Sequence, residues 1–238
     1  MKLRGRLSTA TRGYLAGVSL AALLACVLWW QAPVPAAGLA SFLIIAGLGM
    51  LAHAYPIKGF RHQAYQMTLP FIVVAAALFS SPQLFGFILL IHLAEQSRLR
   101  RPFHIQWFNV CDYLLSAVIA AACYHRAALL LNDDAVGQVV AALAAACTFI
   151  LINRLVLAGV LWLARGLSPA ASGLFQPELL AADLIIGWIA SPMLVLTLAG
   201  GPWMILVTAA PLLLARPALS ALLVRHEQPI EDTKARAA

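Results

Sequence analysis

Hydrophobic residues fall into eight long runs along the chain, separated by short segments rich in glycine, proline and charge. The runs are 13–30, 36–54, 65–80, 83–96, 106–124, 136–164, 179–199 and 203–223. None of them alternates polar and apolar residues for long, which disfavours a membrane β-barrel. A helix satisfies its own backbone hydrogen bonds and crosses the hydrocarbon with about 20 residues. The pattern therefore predicts an all-α, polytopic transmembrane bundle of about eight hydrophobic helices.

The composition makes lipid the expected solvent. The chain has 238 residues, of which 63% are hydrophobic and 11% are charged, whereas a soluble domain has about 25% charged residues. We expect the lipid bilayer to be its main partner and a bacterial-type cytoplasmic (inner) membrane to be its location. The four cysteines lie in or beside apolar runs without metal-ligand spacing, so we interpret them as packing residues and predict no disulfide.

The basic residues explain the net charge of +7 without nucleic acid. If the N-terminus is cytoplasmic and every run crosses, 14 of the 16 Lys and Arg lie at the cytoplasmic ends of the runs. Arg126 and Arg154 are the exceptions. The asymmetry predicts cytoplasmic termini at both ends of the chain, with the basic groups facing anionic headgroups rather than a nucleic acid.

The number of crossings stays open because runs 65–80 and 83–96 are short and joined only by Ser81 and Pro82. They form either two full spans or a re-entrant pair, which gives six to eight crossings.

The expected organisation is a basic cytoplasmic N-terminus (1–12), a single transmembrane domain (13–224) and a disordered cytoplasmic tail (225–238). The first run follows a basic start, as a signal peptide would. Its length and its terminal Trp29 and Trp30 favour a retained helix instead.

Polar side chains inside the spans are the candidates for a binding site. Asn109, Asp112 and Ser116 share one helix face, which should point into the bundle because a charge facing lipid is costly. Arg154 is the opposite charge at a similar depth, with Asn153 beside it. We predict a cluster in which Asp112 pairs with Arg154, either directly or through a bridging water. Its members are Asn109, Asp112, Asn153, Arg154 and Asp183, with His92, Glu95 and Ser116 as secondary candidates.

A purely structural alternative exists for the same residues. Arg154 could extend to the interface and Asp112 could pair with a loop arginine such as Arg101, so that both only fix the helix register. His92 and Glu95 form an H-x-x-E pair that can bind metal, but no second histidine pair completes a site. We therefore predict no metal and no cofactor. The other histidines are placed near the interfaces: His53, His62, His104, His125 and His226.

Three segments together are similar to a known kind of membrane region. They are RRPFHIQWFNVCDYLLSA (100–117), LINRLVLAGVLWLARG (151–166) and APLLLARPAL (210–219). Their order and spacing resemble the multi-span region that precedes cytoplasmic HD-GYP or GGDEF output domains in some bacterial signalling proteins. The resemblance implies a membrane module, here expected to be free-standing because only a short charged segment follows Leu223. It implies no catalysis by this chain.

Three functions agree with these observations. The first is a membrane sensory or interaction module without catalytic activity, which binds a small hydrophobic ligand or another membrane protein. The second is a small transporter or a substrate-binding membrane subunit, and the third is a structural subunit of a larger membrane complex. We expect no enzyme, because the chain contains no H-E-x-x-H, G-x-S-x-G or P-loop motif.

Overall fold

The fold is a bundle of helices, described here from a computed structural model for residues 8–32, 34–55, 57–58, 64–65, 67–131 and 134–214. The helices are α1 (Thr9–Trp30), α2 (Leu39–Ala54), α3 (Leu69–Leu78), α4 (Ser81–Leu99), α5 (Phe103–Leu130), α6 (Ala135–Arg165), α7 (Pro177–Trp188), α8 (Ala190–Gly200) and α9 (Met204–Leu214). Two short strands, β1 (Ile57–Lys58) and β2 (Ala64–Tyr65), pair antiparallel between α2 and α3. Each hydrophobic run contains helix, which confirms the all-α prediction. The predicted tail, 225–238, and most of the predicted N-terminal segment lie outside the described residues.

Four helical segments of the described chain are long and apolar enough to cross a membrane. They are Thr9–Trp30, Phe103–Leu130, Ala135–Arg165 and Pro177–Gly200, the last of which contains α7 and α8. Large apolar side chains cover their outer faces, among them Leu28, Leu129 and Ile185. Because water does not favour so much exposed apolar surface, these faces suit contact with lipid.

Helix α3 is too short to cross the hydrocarbon as a helix. Its 10 residues cover about 15 Å, and every residue from Leu69 to Ala77 is buried by the surrounding helices. Thr68, just before α3, contacts His53 near the end of α2. Ser81, just after α3, donates from Oγ to the carbonyl of Trp29 at the end of α1 (2.6 Å). The chain from Thr68 to Ser81 therefore runs between opposite ends of the bundle. Helix α3 covers part of this distance, and non-helical residues cover the rest. Such backbone is tolerated at membrane depth where protein encloses it.

Small residues bring the central helices close together. Ala117, Ala120 and Ala121 of α5 are fully buried, as are the alanines of α6 that follow the buried Gly137: Ala141, Ala142, Ala145 and Ala146. Van der Waals contact between backbones drives helix association in lipid, and small side chains permit that contact.

Helix α6 is longer than the roughly 30 Å of hydrocarbon that a span has to cross. Its 31 residues cover about 46 Å, from an N-cap in which Asp134 accepts a hydrogen bond from the Gly137 amide (2.7 Å) to Gly166, whose φ of 67° ends the helix. The four cysteines, Cys26, Cys111, Cys123 and Cys147, are free. Cys111 is buried, as expected of a packing residue, whereas Cys147 is exposed.

Candidate functional site

A cavity of about 550 Å³ lies among α4, α5, α6 and α7. We call it the polar cavity. It extends from the buried Glu95 and Asp112 to the exposed Arg165 and Leu167, between the ends of α4 and α6. Its polar and charged lining residues are His92, Glu95, Arg101, Asn109, Asp112, Tyr113, Asn153, Arg154, Arg165, Ser172 and Asp183. All five residues of the predicted cluster therefore line one cavity, together with both secondary candidates from α4.

Asp112 lies at the inner wall of the polar cavity and is only 1% exposed. Its Oδ2 accepts a hydrogen bond from Asn153 Nδ2 (2.9 Å), and its Oδ1 accepts one from Ser116 Oγ (3.3 Å). Asn109 lines the cavity one turn before Asp112 on the same helix. The predicted polar face of this helix thus points into the bundle, and its carboxylate is held by two neutral groups.

Asp112 and Arg154 form no direct ion pair. Arg154 pairs with Asp183 instead: its Nε donates to Asp183 Oδ2 (3.1 Å), and its Nη2 contacts the same oxygen. Nη2 also donates to the carbonyl of Leu179 (3.4 Å). Asn153 and Arg154 are consecutive, so their side chains leave α6 about 100° apart. Asn153 faces α5 and Arg154 faces α7.

Two contacts suggested by the structural alternative differ from those observed. Arg154 is buried rather than extended to the surface, with 7% of the residue exposed. Arg101 does not pair with Asp112 but donates from Nη2 to Glu95 Oε1 (3.0 Å). The carboxylate of Glu95 is buried, whereas the side chain of Arg101 is about one-third exposed. The polar cavity therefore holds two separate ion pairs beside the hydrogen-bonded Asp112.

A second group of buried polar side chains adjoins the cavity, and we call it the His–His–Glu trio: His53, His92 and Glu95. His53 Nε2 lies 3.3 Å from His92 Nδ1, and Glu95 Oε2 lies 3.6 Å from each of these nitrogens. All three residues are buried. Imidazole nitrogen and carboxylate oxygen are ligands that transition metals accept, so the trio is the group of described residues best able to hold a metal.

Neighbouring residues fix the orientation of the trio. Thr68 Oγ1 lies 3.1 Å from His53 Nδ1, and Gln106 Nε2 donates to the carbonyl of His92 (2.8 Å). The Tyr113 ring packs edge-on against both imidazoles. At the end of α4, Arg98 Nη1 donates to the carbonyl of Ala54 (2.5 Å), which holds the ends of α2 and α4 together.

The sequence interpretation missed His53. This residue ends a hydrophobic run, so it was placed at the interface, but it is 1% exposed. Its partners are 39 and 42 positions away, and no local spacing connects them. The pattern of basic residues could have indicated this contact, because it predicts that runs 36–54 and 83–96 end on the same side of the membrane. That assignment places His53 and Glu95 at one level.

Buried polar atoms without a hydrogen-bond partner are concentrated at the cavity and the trio. Among the described residues they include His92 Nε2, Glu95 Oε2, Gln106 Oε1 and Arg154 Nη1. A buried polar atom usually has a partner, because leaving it unpaired costs about 1–3 kcal/mol. Four such atoms around one region are therefore available to pair with water, an ion or a small molecule.

No protein family, curated protein or solved structure matches the chain. The resemblance to membrane regions of HD-GYP and GGDEF proteins therefore stays a prediction. The functional interpretation depends on the cavity itself.

Proposed function

We propose that the protein is an integral membrane module of the sensory or interaction type, without catalytic activity of its own, that binds a small polar ligand in the polar cavity. One observation carries the proposal: charged side chains from four helices line a cavity inside an otherwise apolar bundle. Intramembrane ionisable residues usually serve a function because their burial is costly.

The lining suggests the chemistry of the ligand. Arg154 Nη1 is a buried donor without a partner, and Asp112 is a carboxylate held by neutral groups. A molecule with an acceptor for Arg154 and a donor or cation for Asp112 would satisfy both sites. This favours a polar, amphoteric ligand over the small hydrophobic one considered from the sequence. Glu95, Asp112, Arg154 and Asp183 belong to four different helices, so a ligand that prefers one arrangement of these helices would shift their equilibrium.

The proposed topology places both termini in the cytoplasm of a bacterial-type inner membrane, with eight passes through the bundle, the shortest of them at α3. The basis is the positive-inside rule, since Arg98, Arg100, Arg101 and Arg165 gather at the end where the cavity opens. The cavity would then open to the cytoplasm. In a cysteine-free variant, a cysteine introduced at Ser97 should resist an impermeant reagent in intact cells, whereas one at Asp134 should react. The reverse pattern would refute the orientation.

The test of ligand binding is purification of the full chain in mild detergent, followed by native mass spectrometry of what it retains. We expect a stoichiometric small polar molecule on the wild-type protein, and its loss from an Arg154→Met variant. Glu178→Gln is the matched control, because Glu178 lies exposed at the start of α7 outside the cavity lining. Retention of the same molecule by Arg154→Met would place its binding elsewhere.

A transporter, or a substrate-binding subunit of one, is the second candidate. Its support is the interrupted helix geometry: α3 is short and followed by non-helical residues, and the span Pro177–Gly200 is interrupted at Ile189. Discontinuous helices near polar groups are typical of transporter binding sites. Uptake of the co-purified molecule into proteoliposomes would favour transport, whereas binding without uptake would favour the sensory module.

A further inference from the structure

We propose that His53, His92 and Glu95 form a binding site for a transition-metal dication, with Zn²⁺ as the best fit. The ligand atoms would be His53 Nε2, His92 Nδ1 and Glu95 Oε2, contributed by α2 and α4. This departs from the expectation of no metal, which considered only the H-x-x-E pair of α4. The inference does not rest on the proposed ligand in the polar cavity.

The spacing of the three atoms is that of a zinc ligand set. They lie 3.3, 3.6 and 3.6 Å from one another. Zinc bonds to nitrogen and oxygen are about 2.0–2.2 Å long, so two ligands of a tetrahedral site lie about 3.3–3.6 Å apart. An ion between the three atoms could therefore reach all of them at bonding distance without moving either helix.

The trio is poorly satisfied by hydrogen bonds alone. Glu95 Oε2 faces both imidazole nitrogens at 3.6 Å, beyond hydrogen-bond length, and has no other partner among the described residues. The two nitrogens lie 3.3 Å apart and can share one proton at most. A dication would replace these weak contacts with three bonds.

The surrounding contacts leave His53 Nε2 and Glu95 Oε2 available, whereas Gln106 Nε2 lies 3.5 Å from His92 Nδ1, a long contact that a metal ion would replace. Thr68 Oγ1 lies beside His53 Nδ1. In the tautomer that donates the Nδ1 proton to Thr68, the lone pair on Nε2 is free for a metal. Arg101 contacts Glu95 through Oε1, which leaves Oε2 for the ion. Both arrangements are typical of the groups that orient metal ligands from outside.

The donor set selects the class of metal. Two imidazoles and one carboxylate suit Zn²⁺ and its first-row neighbours, whereas Mg²⁺ and Ca²⁺ prefer oxygen ligands throughout. His92 and Glu95 also line the polar cavity. A metal with three protein ligands keeps a fourth position for water or another small molecule, and here it would lie at the border of that cavity.

The experiment measures metal retained by the full, tag-free chain in detergent. After treatment with chelator, the protein is loaded with Zn²⁺, Co²⁺ or Mg²⁺, desalted and subjected to elemental analysis. We expect about one Zn²⁺ or Co²⁺ per chain, no retained Mg²⁺, and visible absorption of tetrahedral Co²⁺. His53→Gln and Glu95→Gln should each lower Zn²⁺ retention by at least about tenfold. His125→Gln, which changes a half-buried histidine outside the trio, should retain as much as wild type.

Wild-type protein that retains less than about one-tenth of an equivalent of Zn²⁺ would overturn the proposal, whatever the variants do. Full retention in both trio variants would equally overturn it, as would equal retention of Mg²⁺. If a trio variant does not fold, the Co²⁺ spectrum of wild type decides, because a tetrahedral site gives strong bands and a surface-bound ion does not. The small-molecule test on Arg154 variants is separate, so either proposal can fail alone.

Discussion

Helices α2 and α4 contact each other through two neighbouring layers of opposite character. In one layer, His53 meets His92 and Glu95, and polar atoms remain unpaired. One turn earlier on α2, Gly49 meets Phe87 and Ile91 so closely that an added Cβ would lie 2.6 Å from the Phe87 ring. The apolar layer leaves no space and no unpaired group. The comparison supports the proposed metal binding at the polar layer, because apolar side chains could pack the same two helices at lower cost.

The same contrast recurs between α5 and α6. Asp112 and Asn153 meet through a hydrogen bond in the wall of the polar cavity. Further along the two helices, Ala120 and Ala121 belong to the same fully buried core as Ala142. Among the described residues, the buried charged groups Glu95, Asp112 and Arg154 thus lie at one end of the bundle, and small apolar residues fill the middle of the α5–α6 contact. The following predictions test this division.

The largest effect is expected where a buried charge loses its partner. Asp183→Leu leaves the Arg154 guanidinium buried without a counter-ion, which should lower the free energy of unfolding in detergent by about 3 kcal/mol. Arg154→Met should cost less, since the side chain of Asp183 is 25% exposed and can be hydrated. The double variant should recover most of the stability, because an apolar pair replaces the ionic one. A double-mutant cycle of denaturant unfolding measures all three values.

The control for this cycle is Glu178→Leu, an exposed acid on the same helix, with an expected loss below about 1 kcal/mol. If Asp183→Leu costs no more than this control, the pair contributes little and the cavity charges are not isolated from water. A strictly additive double variant would likewise show that the two residues do not depend on each other.

The sequence predicts the helices better than it predicts the contacts between them. Hydrophobic runs of 14 to 29 residues leave few alternatives to helix, and the exposed faces follow from the need to meet lipid. The polar cluster was predicted because charges in a span must face the interior. The partner of Arg154 was not predicted. This side chain points about 100° around α6 from the face that meets α5, and the sequence does not show which helix lies there. His53 was missed because its partners come from a helix that is distant in sequence.

An intermediate effect is expected in the apolar layer. Gly49→Ala places a methyl group 2.6 Å from Phe87 Cε2, and the Phe87 side chain is fully buried and has no free space to enter. Overpacking of this kind costs about 1–3 kcal/mol. Gly47→Ala, two residues earlier on α2, adds the same methyl group into open space and should be neutral or slightly stabilising. Thermal unfolding of the two variants side by side measures the difference. Equal stabilities would show that α2 and α4 separate easily, and the contrast between the layers would lose its basis.

The smallest effect is expected at the far end of the bundle, where the Gln83 side chain hydrogen-bonds to the segment before α2 and to the segment before α4. Gln83 Nε2 donates to the carbonyl of Ala37 (2.8 Å), while its Oε1 accepts from the amides of Ala37 (2.9 Å) and Ser80 (3.2 Å). Gln83→Ala removes these bonds, but the half-buried backbone groups can turn to water or headgroups, so the loss should be about 1 kcal/mol. Gln31→Ala, an exposed glutamine near the same end, should change stability by less than half of that. A loss from Gln83→Ala as large as that from Asp183→Leu would mean that water is excluded around Gln83 as completely as around Arg154. Unpaired polar groups would then be equally costly at both ends of the bundle.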